Sequence, residues 1–128
     1  MGDFGLALLT VNRPEKLNAL NAETLVEVRD AVSRAASEPE VRALIVTGAG
    51  EKAFVAGADI NQLAVLTPLE AQAYAERGQR VFREIEMLPK PTLAAINGYA
   101  LGGGLELAMS CAVRVASDNC LLYTSRCV

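Results

Sequence analysis

The sequence predicts an α/β fold, and three observations carry that expectation. Apolar strand-like runs alternate with stretches of helical periodicity, and strand, helix, strand at this spacing is the mark of a βα unit. The pattern strand, glycine loop, helix occurs twice, at residues 44–59 and 93–106. Residues 42–47 (Arg-Ala-Leu-Ile-Val-Thr) are nearly all apolar, as expected of a parallel strand covered on both faces.

The elements follow in order. Residues 4–11 read as a first strand, ended by Asn12-Arg13-Pro14, because the position before a proline avoids the helical region. Asn21 is placed to cap a helix, with Glu23 in its first turn. Leu25, Val28, Val32 and Ala36 then recur at helical spacing until Glu38-Pro39. After the strand at 42–47, Gly48-Ala49-Gly50 is a loop. Thr67-Pro68-Leu69-Glu70 predicts a second long helix with a capping box. Tyr74, Gly78, Val81, Phe82 and Ile85 share one face of it, and Leu88-Pro89-Lys90-Pro91 stops it. Residues 92–96 predict a short buried strand running into Asn97-Gly98, and residues 112–116 another.

Composition narrows the function. The chain has 128 residues, 52% of them hydrophobic, which suits one small domain with a core. Twelve basic and fifteen acidic residues give a net charge of −3 with no basic stripe. Nucleic acid is therefore not an expected partner. There is no histidine, so acid–base chemistry falls to Asp, Glu, Lys, Tyr or Cys. Cys111, Cys120 and Cys127 lack paired zinc spacing, so no metal site is expected and the thiols read as reduced. No basic segment precedes the first apolar run, and no apolar stretch is long enough for a membrane span. The expectation is a soluble cytoplasmic protein without a membrane partner.

The run Ala100-Leu101-Gly102-Gly103-Gly104-Leu105-Glu106-Leu107-Ala108 is the most informative feature of the chain. Three glycines bare the backbone and a carboxylate follows. With a helix formed by the residues after Glu106, free N–H groups and a positive helix end would lie beside a possible acid or base. Such a site suits an enolate or a tetrahedral oxyanion. The same residues also fit a glycine turn followed by a solvated glutamate, and local sequence leaves both readings open. The loop Ala58-Asp59-Ile60 is open in the same way: Gly57 permits close approach to a ligand, while Asp59 also suits a helix cap.

Three segments resemble the enoyl-CoA hydratase/isomerase family, the crotonase superfamily, in order and at family spacing. They are residues 12–20 (Asn-Arg-Pro-Glu-Lys-Leu-Asn-Ala-Leu), 53–60 (Ala-Phe-Val-Ala-Gly-Ala-Asp-Ile) and 90–108, which holds the glycine run. The resemblance implies a crotonase-like (ClpP/crotonase) spiral of ββα units, here truncated. It implies binding of an acyl-CoA thioester, with coenzyme A as part of the substrate and no separate cofactor. Ala58 and Gly103 would supply two backbone N–H groups to the thioester oxygen. The backbone around Ala56, Asp59 and Ile60 would line the adenine and pantetheine part of the ligand. Glu106 falls on the family's first catalytic glutamate. The activity implied is enoyl-CoA hydratase, the syn addition of water to 2-enoyl-CoA in fatty-acid or related metabolism. Family alternatives are an enoyl-CoA isomerase, another acyl-CoA enzyme built on the same loops, or a non-catalytic binding member. A homotrimer or a dimer of trimers is implied for the whole protein.

The resemblance covers residues 1–119, expected to be the N-terminal part of the catalytic domain. Residues 120–128 (Cys-Leu-Leu-Tyr-Thr-Ser-Arg-Cys-Val) depart from it. They stand where hydratases carry a Gly-Gln-Pro-Glu-like segment with a second glutamate, and Arg126 takes the place of that acid. Arginine cannot act as the missing base. This tail resembles a reading frame through a sequencing-library transposase adapter joined to its reverse complement. A natural variant with an unusual end is the rival reading. On this account the 128-residue chain alone has little or no hydratase turnover and leaves apolar faces open.

Overall fold

In a computed structural model, which describes residues 4–123, the chain winds between two parallel sheets. The elements are β1 (Leu6–Val11), α1 (Ala22–Ser37), β2 (Ala43–Gly48), β3 (Ala53–Val55), α2 (Ile60–Leu63), α3 (Pro68–Glu86), β4 (Thr92–Ile96), β5 (Tyr99–Leu101), α4 (Gly103–Ser110), β6 (Val113–Ala116) and β7 (Leu122–Tyr123). One sheet has the order β1-β2-β4-β6 and the other β3-β5-β7. Each of β2, β4 and β6 is followed by a short strand of the second sheet. After the first two of these pairs the chain turns into helix. This is the crotonase-like spiral of ββα units.

Local chemistry explains the long elements. Asn21 caps α1 by accepting from the Thr24 N–H at 2.8 Å. Leu25, Val28, Val32 and Ala35 form its buried stripe, so the stripe closes on Ala35 where the periodicity predicts Ala36. The capping box of α3 forms as predicted: Thr67 Oγ1 accepts from the Glu70 N–H, and the Thr67 N–H donates to Glu70 at 3.0 Å. That backbone bond holds the Glu70 carboxyl below its ordinary range. Val81 and Ile85 are buried, and Tyr74 and Phe82 pack against the core on the same face.

The first strand begins at Leu6, two residues later than predicted. Gly5 turns the chain there with φ +75°, and Phe4 lies 80% exposed. Strand β2 buries Leu44, Val46 and Gly48 on one face and half-buries Ala43, Ile45 and Thr47 on the other. The expected cover on both faces is thus complete on one only. Leu8, Val113 and Val115 share the less covered face and are more than half exposed.

Asn97 ties the two ββ corners together. Its Oδ1 accepts from the Gly48 N–H at 3.1 Å, and its Nδ2 donates to the Gly48 and Gly50 carbonyls at 2.8 and 2.9 Å. Between the sheets and helices lies a core centred on Val46, Phe54, Val55, Ala94, Ala100 and Leu107. Cys111 is buried and free, and burial pushes its thiol up to about 11, so it stays protonated at neutral pH. Cys120 is half-buried and free, with its Sγ 3.0 Å from the Ile96 carbonyl oxygen. Residues 122 and 123 pair with Ala100 and Leu101 of β5. Arg126 and Cys127 lie outside the described residues. Among the described residues, no helix is long and apolar enough to cross a membrane.

Candidate active site

The site forms where the loop after β3 meets the start of α4. Helix α4 begins at Gly103, three residues before Glu106, rather than after it as the sequence suggested. Glu106 therefore sits in the first turn, and its N–H is the first to bond back into the helix, to Gly102 O at 3.1 Å. The earlier N–H groups of the turn have no helical acceptor. Packing explains the early start. A Cβ on Gly104 would lie 1.7 Å from Val55 O, so only glycine lets this turn rest directly on β3.

The facing loop is set just as tightly. Gly57 has φ +93°, a region where side chains are strained, and a Cβ there would come within 3.1 Å of Leu101 O. Leu17–Leu20 runs alongside residues 56–59 as a short parallel pairing. The Ala56 N–H donates to Leu17 O at 3.0 Å, the Leu20 N–H to Gly57 O at 2.7 Å, and the Asp59 N–H to Leu20 O at 2.9 Å. This brings Ala58 so close to α4 that a Cβ on Gly103 would be 4.0 Å from Ala58 N. Neither the Ala58 nor the Gly103 N–H is taken up by the loop, turn or cap hydrogen bonds of the described residues.

Ala58, Gly103 and Glu106 line one cavity of about 230 Å³. Leu20, Leu25, Tyr74, Ala75, Gly78 and Phe82, with Gln79 as a further polar member, make the rest of its wall largely apolar. The Tyr74 hydroxyl donates to the Leu20 carbonyl, so its polar end is satisfied. Burial first, and then the negative charge of Asp59, raises the Tyr74 phenol above its ordinary value. Glu106 is exposed at the mouth and also borders a wider groove of about 730 Å³ between α3 and α4, beside Arg80, Arg83 and Glu86. Complete ligand pockets usually measure roughly 300–1,000 Å³. The smaller cavity is thus below the size of a complete ligand pocket.

Ala56, Asp59 and Ile60 stay on the same loop but do not line this cavity. Asp59 Oδ1 caps α2, accepting from the Asn61 and Gln62 N–H groups at 3.0 and 3.4 Å. Its Oδ2 pairs with Arg13 Nη2 at 3.1 Å. The hydrogen bond from Arg13 is the main reason the Asp59 carboxyl is held below its ordinary range. A lowered pKa places the stabilisation from this group above the ordinary carboxylate range, and it is lost as pH falls through the lowered value. Asp59 thus does what the capping reading expected, and its side chain is occupied within the fold. Ile60 is 78% exposed.

Sequence reasoning missed Tyr74, Gly78 and Phe82 as cavity residues. Their helical spacing was visible, but it reads equally as a core face. It also missed Arg13 and Asn18. Asn18 is fully buried with φ +58° and donates to Ala49 O at 2.9 Å and Ala53 O at 3.0 Å. An asparagine tolerates this backbone region better than most residues. Among the described residues, no group of three His, Cys, Asp or Glu side chains is placed to hold a metal ion.

The chain is 53% identical over 114 residues to a crotonyl-CoA hydratase of Syntrophomonas wolfei, covering 89% of this chain and 44% of that protein. It is 50% identical, with the same coverage, to a short-chain-enoyl-CoA hydratase of Clostridium acetobutylicum. A crystal structure of an enoyl-CoA hydratase from Bacillus anthracis superposes with a TM-score of 0.90 at 36% identity, covering 92% of this chain and 46% of that one. The chain thus spans less than half the length of these relatives. Residues 2–126 match the family model described as enoyl-CoA hydratase/isomerase, and the chain belongs to that family.

Proposed function

We propose that the whole protein is an enoyl-CoA hydratase acting on short 2-enoyl-CoA thioesters. The meeting of the Ala58 N–H, the Gly103 N–H and Glu106 at one small apolar cavity carries this reading. Water adds through its oxygen to C3 of the double bond, and the displaced electron pair moves through C2 to the thioester oxygen as an enolate. Two fixed backbone donors stabilise that charge and do not titrate. One proton leaves the water and one arrives at C2, so the reaction is redox-neutral and needs no electron acceptor. Glu106 handles a proton in this exchange. The names of the two relatives support a short acyl chain.

The description of the matching family, enoyl-CoA hydratase/isomerase, favours a second reading. Glu106 lines the cavity. A single carboxylate suffices to take a proton from C2 of a 3-enoyl thioester and return it at C4, which is isomerisation. Incubating the whole protein with crotonyl-CoA and with 3-butenoyl-CoA separates the two. The hydratase reading expects 3-hydroxybutyryl-CoA from crotonyl-CoA at ~1–1,000 per second. A double-bond shift from 3-butenoyl-CoA with no water added to crotonyl-CoA overturns it.

A further inference from the structure

We propose that Arg13 is a positioning residue for the Ala58 N–H, an inference that rests on the function proposed above. A peptide group is planar, so the Gly57 carbonyl and the Ala58 N–H form one rigid unit pointing opposite ways. Fixing the carbonyl aims the N–H. The Gly57 carbonyl is fixed by the Leu20 N–H at 2.7 Å, so the direction of the Ala58 donor depends on where residues 19 and 20 are held.

Arg13 holds both sides of that contact. Its Nη1 donates to the Ala19 carbonyl, and its Nη2 to Asp59 Oδ2 at 3.1 Å. Ala19 precedes Leu20, and Asp59 follows Ala58. The guanidinium fork therefore clamps the two strands on either side of the Leu20–Ala58 bridge. The Asp59 N–H closes the frame on Leu20 O at 2.9 Å. Both side chains are largely withdrawn from solvent, at 20% and 12% exposure, which limits screening of the pair. Arg13 itself is anchored: its N–H donates to Asn18 Oδ1, and its carbonyl accepts from the Asn18 N–H, both at 2.8 Å. Lysine would keep the charge but not the two directed bonds of a planar fork. Arg13 does not line the cavity, so its influence on the thioester passes through the backbone.

The test uses the whole protein and crotonyl-CoA isotopically labelled at the thioester carbonyl. Infrared difference spectra give the carbonyl stretch of the bound ligand, alongside kcat, KM and thermal unfolding. Wild type is expected to lower the stretching frequency on binding. Arg13→Met is expected to lose most of that shift and to lower kcat by about 10- to 100-fold, with KM moving by less than about 3-fold. The estimate follows from the ~100-fold effect of a misplacement of about 1 Å at a reacting centre. Arg13→Lys is expected to lie between the two. A folded Arg13→Met that keeps the wild-type shift and kcat, however unstable, overturns this inference and leaves the proposed function standing. Should Arg13→Met fail to fold, Arg13→Lys decides: a partial loss of the shift supports the inference and a full shift overturns it. Wild type showing neither a carbonyl shift nor hydration overturns the proposed function, and this inference with it.

Discussion

Glu106→Gln is expected to lower crotonyl-CoA turnover of the whole protein by ~100- to 10,000-fold, the usual worth of general acid–base catalysis. Glutamine has nearly the same shape and still hydrogen-bonds to water, but it neither takes nor gives a proton at neutral pH. The donors at Ala58 and Gly103 belong to the backbone, and Glu106 is exposed at the mouth of the cavity. The thioester should therefore dock almost unchanged. Loss of kcat with product-CoA affinity preserved would place the carboxylate's contribution in the transition state. A loss below about tenfold would remove Glu106 from proton transfer, leaving it the solvated first-turn glutamate of the plainer reading.

Gly104→Ala is expected to be the most damaging change of a single methyl group at the site. The new Cβ would lie 1.7 Å from Val55 O and 2.6 Å from Val55 C, both backbone atoms that cannot rotate away. Helix α4 must then lift off β3, carrying Gly103 away from Ala58. Overpacking costs typically ~1–3 kcal/mol, occasionally more, and this backbone clash belongs at the upper end. Turnover should fall at least ~100-fold from the displaced donor alone. Gly78→Ala provides the contrast within α3. Its Cβ would meet Leu25 Cδ1 at 3.9 Å, an ordinary contact. Removing a helix-interior glycine there is expected to stabilise by up to ~1 kcal/mol. Thermal unfolding of the three proteins checks the opposite signs. A Gly104→Ala protein with wild-type melting and turnover would contradict the packing of α4 on β3.

Where the sequence spoke clearly, it did so through periodicity and capping. Helices α1 and α3 are long enough for four or more apolar positions to repeat, and Asn21 and Thr67 mark their starts. Strand β2 is legible because a run of apolar residues stands between turn formers. Strands β3 and β5, at three residues each, are too short to show a period of two. They are strands because the other sheet member lies beside them, which is tertiary information. Helix α2 has four residues and exists largely through the Asp59 cap. The start of α4 was misplaced because glycine has poor helix propensity, while packing against Val55 outweighs that preference.

The site divides in the same way. Its ingredients, Ala58, Gly103 and Glu106, were legible through motifs and family resemblance. Their convergence was not, since it depends on β3 and β5 pairing in parallel and on two glycines allowing backbone to meet backbone. Arg13 and Asp59 are 46 positions apart, and no local pattern links them. Tyr74 and Phe82 have the spacing of core residues and partly serve as such, so their place in the cavity wall follows only from how α3 lies against α4.

The proposed function requires the Ala58 and Gly103 N–H groups to converge on a thioester oxygen. Amide proton NMR of the whole protein tests it most directly, comparing saturation with free coenzyme A and with a non-reacting acyl-CoA thioester. Both ligands share the nucleotide and pantetheine parts, so only the thioester differs. The Ala58 and Gly103 amide protons are expected to move downfield with the thioester and to stay near their unliganded positions with coenzyme A. Equal shifts with both ligands, or shifts at other amides with these two unmoved, would contradict it.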